Sequence, residues 1–134
     1  MRERGQSLVE FALVMPIFLV ILLGTFEGVR AVLAYNTLSN ASREGARYAL
    51  VHGANATSPV GPGNTTALTT YVRKYTDTLG SSHVTITPTW PDGSNAIGSH
   101  AQVSITYAYA PLFGGWLHMG AVNISSTSKV VIAN

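Results

Sequence analysis

The sequence predicts an α+β fold, in which a long N-terminal α-helix packs on a small antiparallel β-sheet of about three to four strands, with one short extra helix. Three observations predict it. Residues 6 to about 52 contain no cluster of turn-forming residues. Their first half is apolar, whereas their second half repeats apolar residues at intervals of three and four. Beyond residue 82, three segments alternate apolar and polar residues as half-buried strands do.

The first part of the long helix has the composition of a membrane span. Residues 11–26 carry no charge, and we predict that residues 6–28 form an apolar transmembrane or filament-core helix. Residues 1–5 are interpreted as a short basic leader that contains Arg2 and Arg4. A helix of about 45 residues is roughly 68 Å long, so its second part is expected to extend out of a bilayer core of about 30 Å.

Glu10 stands at the start of the apolar run. An ionised carboxylate in hydrocarbon costs on the order of several kcal/mol unless it is paired, which makes Glu10 the first candidate functional residue. Glu27 is a second candidate acid. A local ion pair with Arg30, three residues later, is the simpler interpretation of Glu27.

Three further residues of the apolar run are candidates for a role in helix packing. Pro16 removes one intrahelical hydrogen bond, which predicts a kink or local unwinding. Gly24 and Gly28 form a small-xxx-small pair that permits close approach of another helix. The alternative is that their spacing has no role in packing.

Residues 29–134 are predicted to form the amphipathic helix half and a globular head. Glu44 and Arg47 are spaced to pair on the helix surface. His52 and Gly53 are predicted to end the helix, with Gly53 in the left-handed conformation. A loop over 54–64 and a short helix over 65–79 follow, and Gly80 is predicted to end that helix.

Three strands are predicted over 83–90, 100–110 and 122–132. Pro88 indicates that the first of them is an edge strand or carries a bulge. The loop over 111–120 is predicted to expose Phe113, Trp116 and Leu117. The alternation predicts that one face of the sheet is covered, most simply by the amphipathic half of the long helix.

Composition narrows the function classes. Charged residues make up 10% of the 134 residues, and the net charge of +2 comes from scattered basic residues, so nucleic-acid binding is not expected. Because the chain lacks cysteine, disulfides and thiolate metal sites are excluded. A neutral surface rich in Ser and Thr fits copies that pack in a polymer, or a glycosylated protein. Asn55, Asn64 and Asn123 match the N-glycosylation pattern, which also arises by chance in such a chain.

The sequence contains no recognisable catalytic constellation, phosphate-binding loop or close carboxylate pair in the head, so no enzyme activity, cofactor or metal is expected. His83 and His100 both precede strands and form a weak candidate metal pair. Solvated histidines at strand ends are the preferred interpretation.

Three motifs, taken in order, resemble the TadE-like family of tight-adherence pilus pseudopilins, within the type IV pilin superfamily. They are Arg4-Gly-Gln-Ser-Leu-Val-Glu-Phe-Ala-Leu-Val-Met-Pro16, then Gly24-Thr-Phe-Glu-Gly28, then Ala41-Ser-Arg-Glu-Gly-Ala-Arg-Tyr-Ala49. The close resemblance covers about residues 4–50, and the rest of the chain fits only in its general pattern.

The resemblance implies a processing step and an assembly step. A prepilin peptidase would cut after Gly5, and the new amine of Gln6 would meet Glu10 of a neighbouring subunit. Apolar helices would then leave the inner membrane and pack into an extracellular filament, with copies of this chain or other pilins and the pilus assembly machinery as partners. If the leader is retained instead, Arg2 or Arg4 of another copy would supply the counter-charge to Glu10.

Two functions follow from these expectations. The first is a structural subunit, a pilin or pseudopilin, of a type IV pilus-like filament, with Glu10, Pro16, Gly24, Glu27 and Gly28 serving assembly. The alternative is a single-pass membrane-anchored protein, whose extracytoplasmic head binds a partner or acts as a scaffold and never polymerises.

Overall fold

The computed structural model describes residues 2–115, 118 and 120–134, with side chains from residue 5 onward. In this part of the chain the elements are helix α1 (Arg2–Val51), helix α2 (Thr66–Thr76), a 3₁₀ turn (Asp77–Leu79), and strands β1 (Val84–Thr89), β2 (His100–Tyr109) and β3 (Val122–Val131). The strands form one antiparallel sheet in the order β1-β2-β3. The predicted α+β fold is therefore confirmed.

The chain divides into two compact units, an N-terminal unit up to Val32 and a head unit over Leu33–Asn134. All described residues of the N-terminal unit belong to α1, which continues through Pro16. Of the two outcomes predicted for Pro16, local unwinding does not occur. A proline removes one hydrogen bond, and the bonds of the flanking turns keep the helix intact.

In the head unit, the second part of α1 buries one narrow face made mainly of small residues. Leu38, Ala41, Ser42 and Ala49 are fully buried. Their spacing of three, four and seven places them on one side of a helix, whereas Arg47 on another side is exposed. The predicted amphipathic character of this half is confirmed.

Gly45 lies within this buried face, where α1 meets both α2 and β2. A Cβ atom at this position would lie 2.6 Å from Cγ2 of Val72 and 3.1 Å from Cγ1 of Val103. Real Cβ atoms essentially never approach another atom to 2.6 Å, and a contact of 3.1 Å is tighter than most. The absence of a side chain therefore sets how near the helix can come to its neighbours.

Gly53 follows the end of α1, but the left-handed conformation predicted for it does not occur. Left-handed glycine conformations occur at Gly80, Gly93 and Gly98 among the described residues, and not at Gly53. A Cβ at Gly53 would overlap the carbonyl oxygen of Asn134. The position thus needs glycine because the C-terminal backbone crosses it.

The short helix α2 and its end agree with the sequence. Leu68 and Val72 are fully buried in the core cluster, and Gly80 follows the 3₁₀ turn with a φ of 80°. Positive φ is open to glycine without steric cost, which explains the stop.

The alternation of the strands is largely as predicted. On β2, Ala101, Val103 and Ile105 face the core and are buried. Among the described residues β1 pairs with β2 alone, so the edge position predicted from Pro88 is confirmed. Val122, the first residue of the edge strand β3, is 50% exposed, whereas the alternation predicts that it faces inward.

The loop after β2 departs from the prediction at one residue. Phe113 is half-buried, not exposed. Trp116 and Leu117, the other two residues predicted to be exposed, lie outside the described residues.

Candidate assembly site

The N-terminal unit presents an almost uninterrupted apolar surface. α1 is long and apolar enough to cross a membrane, judged by length and composition, and none of its most apolar stretch is buried within the chain. Leu8, for example, is 71% exposed and Val20 65%. Contiguous apolar surface of this extent marks contact with lipid or with another protein.

Glu10 lies on this surface and lines a shallow open groove. Besides Glu10, the groove is lined by Gly5, by the polar side chain of Gln6 and by the apolar side chains of Val9 and Leu13. The salt bridges among the described side chains are Glu27–Arg30, Glu44–Arg47 and Asp92–His100, and Glu10 takes part in none of them. An exposed carboxylate in this position can form an ion pair with a positively charged group of another molecule.

The two residues at the predicted cut lie about one helical turn before Glu10 on α1. Gly5 and Gln6, on either side of the predicted cut, are exposed and helical. The side chains of Arg2 and Arg4, the predicted alternative counter-charges, lie outside those that the structure describes.

Gly24 and Gly28 leave an open strip along α1. No described heavy atom of the chain lies within 4 Å of the place where a Cβ would stand at either position, the local helix backbone aside. One turn apart on the same helix face, they leave room for the backbone of a second helix. The packing role predicted for this pair stays a prediction.

Glu27 and Arg30 form the local pair that their spacing predicts. Nη1 of Arg30 donates to both carboxylate oxygens of Glu27 at 3.2 Å. The side chains of Glu27 and Arg30 are 20% and 33% exposed. Phe26, just before Glu27, and Val29, just before Arg30, are more than half exposed. Pairing lowers the cost of holding an acid beside the apolar run.

The third motif of the resemblance, residues 41–49, serves the head core. The hydroxyl of Ser42 is fully buried and lies 3.1 Å from the hydroxyls of Ser126 and Ser128 on β3. Sequence reasoning missed this cluster, although Ser126 and Ser128 occupy the inward positions of a strand that alternates from Ile124 to Val130. Buried hydroxyls that satisfy one another fix the position of α1 on the sheet.

Four aromatic rings contact one another in a row between α1 and α2, the first three stacked and the last pair tilted. Tyr48 stacks on His52 at 3.9 Å and on Tyr71 at 4.5 Å, measured between ring centroids. Tyr71 in turn meets Tyr75, with their hydroxyls 3.0 Å apart. This hydrogen bond raises the pKa of Tyr71. Nδ1 of His52 donates to the Tyr48 carbonyl at 2.9 Å, and the same carbonyl accepts the backbone N–H of His52 at 3.2 Å.

The candidate histidine pair is not brought together. His83 lies opposite Ala108, eight residues along β2 from His100, a separation of about 27 Å in an antiparallel strand. His100 is hydrogen-bonded to Asp92 instead. The carboxylate of Asp92 accepts the backbone N–H of His100 at 2.7 Å and the Nδ1–H of the His100 ring at 2.8 Å. The bond from the His100 side chain is the main cause that lowers the pKa of Asp92. Within the described ranges no group of three or more His, Cys, Asp or Glu residues could hold a metal.

The three candidate glycosylation acceptors are Asn55, Asn64 and Asn123, and all three are exposed. Exposure is compatible with modification and equally with a chance match to the pattern, so this stays a prediction.

Comparison with known proteins agrees with the N-terminal geometry. Residues 5–47 match the family model described as TadE-like protein. This range contains the groove residues around Glu10, the open glycine strip and the Glu27–Arg30 pair. It also contains most of the third motif, residues 41–49, which we call the small-residue motif. No curated protein and no solved structure matches the chain. Residues 5–47 are therefore similar to the TadE-like family, which is consistent with a TadE-like pseudopilin of the tight-adherence pilus system.

Proposed function

We propose that this chain is a structural subunit of a type IV pilus-like filament and that it assembles through its N-terminal helix. The observation that carries the proposal is the exposed carboxylate of Glu10 at the head of an unburied apolar helix, inside a TadE-like segment. A carboxylate in that position is costly in lipid and becomes favourable only beside a positive group.

Assembly supplies that positive group. Cleavage after Gly5 frees the amine of Gln6, which then pairs with Glu10 of a neighbouring copy. Within a bundle of apolar helices the pair is shielded from water, so its attraction is strong provided that the geometry is good. Gly24 and Gly28 allow the helices to approach closely, since small residues let backbones come together where no hydrophobic driving force acts.

The proposal assigns partners and places. The chain enters the inner membrane as a precursor, a prepilin peptidase processes it, and the pilus machinery extracts it into an extracellular filament with other copies or other pilins. It has no catalytic role, binds no cofactor and binds no nucleic acid.

Replacement of Glu10 tests the proposal. Glu10→Ala and Glu10→Gln leave the apolar helix intact, so membrane levels of the protein should be unchanged. Leaving the Gln6 amine buried and unpaired costs about 3–5 kcal/mol, so surface-sheared filaments should fall at least about tenfold. Immunoblots of membrane and sheared fractions measure both quantities.

Glu44→Ala is the matched control, because it removes an acid of the same helix whose partner, Arg47, is 78% exposed. Because the Arg47 side of this pair is open to solvent, its loss costs about 0.2–1 kcal/mol and should leave filaments unchanged. Wild-type filament levels in Glu10→Ala would refute the assembly role and favour the alternative, a membrane-anchored head that never polymerises.

A further inference from the structure

The two edges of the sheet differ in how well they are protected against pairing. β1 has six residues, and its Pro88 lacks the N–H that a partner strand would need. β3 has ten residues, contains neither proline nor glycine, and carries one charge, Lys129. Native proteins usually protect an exposed edge with prolines, charges or short length, so β3, with a single lysine, is the less protected edge of this sheet.

The outer side of β3 is also open. β3 pairs with β2, and the backbone hydrogen bonds found outside helices and strands, among the described residues, involve none of Val122–Val131. Its inward row, Ile124, Ser126, Ser128 and Val130, is half-buried, whereas the corresponding positions of the central strand β2 are mostly buried. A strand added beside β3 would complete the burial of this row.

The sequence of β3 is close to a palindrome about Thr127. In an antiparallel pair of two β3 strands centred there, Ile124 lies opposite Val130 and Ser126 lies opposite Ser128. Apolar residues thus meet apolar residues and hydroxyls meet hydroxyls, all on the core-facing side of the sheet. On the other side Lys129 lies opposite neutral Ser125, so no like charges meet.

Neighbouring registers are less favourable. A centre at Ser126 places Ile124 opposite Ser128, and a centre at Ser128 places Ser126 opposite Val130. Each of these mixes apolar with hydroxyl side chains on the core-facing side. Self-complementarity in one register favours a second copy of this chain over an unrelated strand.

We propose that β3 is a self-association edge, where two copies pair their β3 strands antiparallel about a two-fold axis at Thr127 and join two three-stranded sheets into one of six strands. The contact is isologous and uses strand addition. It lies between heads, so it is distinct from the helix contact around Glu10. One strand pair is a small interface, and small interfaces are weak in dilute solution. Copies confined to a membrane or filament gain from a high effective concentration.

Cysteine cross-linking tests the pairing, and the chain suits it because it contains no cysteine. Thr127→Cys in the full chain, reconstituted in membranes, places two thiols opposite each other at the axis. Directly opposite Cβ atoms lie about 4.5–5.5 Å apart, within reach of a disulfide after small adjustment. Thr127 is exposed and its hydroxyl bond to Ser104 lies on the solvent face, so the replacement should be tolerated.

Ser125→Cys is the matched control on the same exposed row. Its two copies would lie about 14 Å apart along the strands, beyond the reach of a disulfide. After brief copper-phenanthroline oxidation, covalent dimer should form at least roughly tenfold faster from Thr127→Cys than from Ser125→Cys. The double variant Ser125→Cys/Lys129→Cys should restore dimer formation, because these positions lie opposite each other in the proposed register.

Equal rates of covalent dimer formation for Thr127→Cys and Ser125→Cys would overturn the proposed register. So would a double variant that forms dimer no faster than Ser125→Cys. If Thr127→Cys fails to fold, as judged by thermal unfolding, the double variant carries the test alone. Cross-linking is also measured in Glu10→Ala variants, where it should persist because the strand contact does not involve Glu10. A failure of the strand pairing can therefore be distinguished from a failure of the filament role.

Discussion

Gly45 shows how single residues set the spacing of the head. A Cβ there would lie 2.6 Å from a methyl group of Val72 and 3.1 Å from one of Val103, and both valines are fully buried. The nearby Ser42 bonds two hydroxyls of β3, so a hydroxyl and a missing side chain together hold α1 close to the sheet. Only the small size of these residues is visible in the sequence, because their neighbours come from distant segments.

Gly45→Ala should destabilise the head despite its better helix propensity. The gain of about 1 kcal/mol from replacing helical glycine is opposed by overpacking of about 1–3 kcal/mol, since buried valines have restricted rotamers. We expect a net loss of up to about 2 kcal/mol in the free energy of unfolding, measured by urea denaturation.

Val72→Ala provides the control through a double-mutant cycle. It removes the methyl group nearest to the added Cβ, so Gly45→Ala should cost less in the Val72→Ala background than in the wild type. Strict additivity of the two changes would show that the close approach at Gly45 does not determine stability.

At the scale of elements, local patterns predicted the helices and strands, whereas contacts between segments were not predictable. The uncharged run, the period of α1 and the alternation of the strands each depend on residues close in sequence. The separation of His83 from His100 instead depends on strand register, and the glycine requirement at Gly53 depends on a C-terminal residue, Asn134. Neither relation leaves a signal within a short window.

The turn between β1 and β2 is held by Asp92, which gives it a predictable pH dependence. Its carboxylate accepts two hydrogen bonds from His100, and the pKa of Asp92 is lowered. A folded-state pKa below the unfolded value means that the stabilisation is present above the ordinary value of 3.8 and is lost as the pH falls through the folded value.

Asp92→Asn should therefore remove part of the acid sensitivity of the head. The melting temperature of the wild type should fall more steeply than that of Asp92→Asn between about pH 5 and pH 2.5. Asp77→Asn, an exposed acid outside the described salt bridges, serves as the control and should behave as the wild type does. Parallel curves for wild type and Asp92→Asn would contradict this role of the turn.

At the scale of the whole molecule, the chain joins two surfaces of different chemistry. The N-terminal unit exposes an apolar helix with Glu10 at its start, and the head exposes a neutral surface rich in Ser and Thr with one open strand edge. The TadE-like match lies in the helix and the small-residue motif. Both surfaces suit contacts with further copies, through helix packing at one and strand addition at the other.

The intact mass of surface-sheared material decides whether the mature chain is a filament subunit that begins at Gln6. We expect the sheared fraction to contain this chain with residues 1–5 removed, together with the mass of any attached glycans. A chain that is absent from sheared material and stays in the membrane with residues 1–5 attached would contradict it.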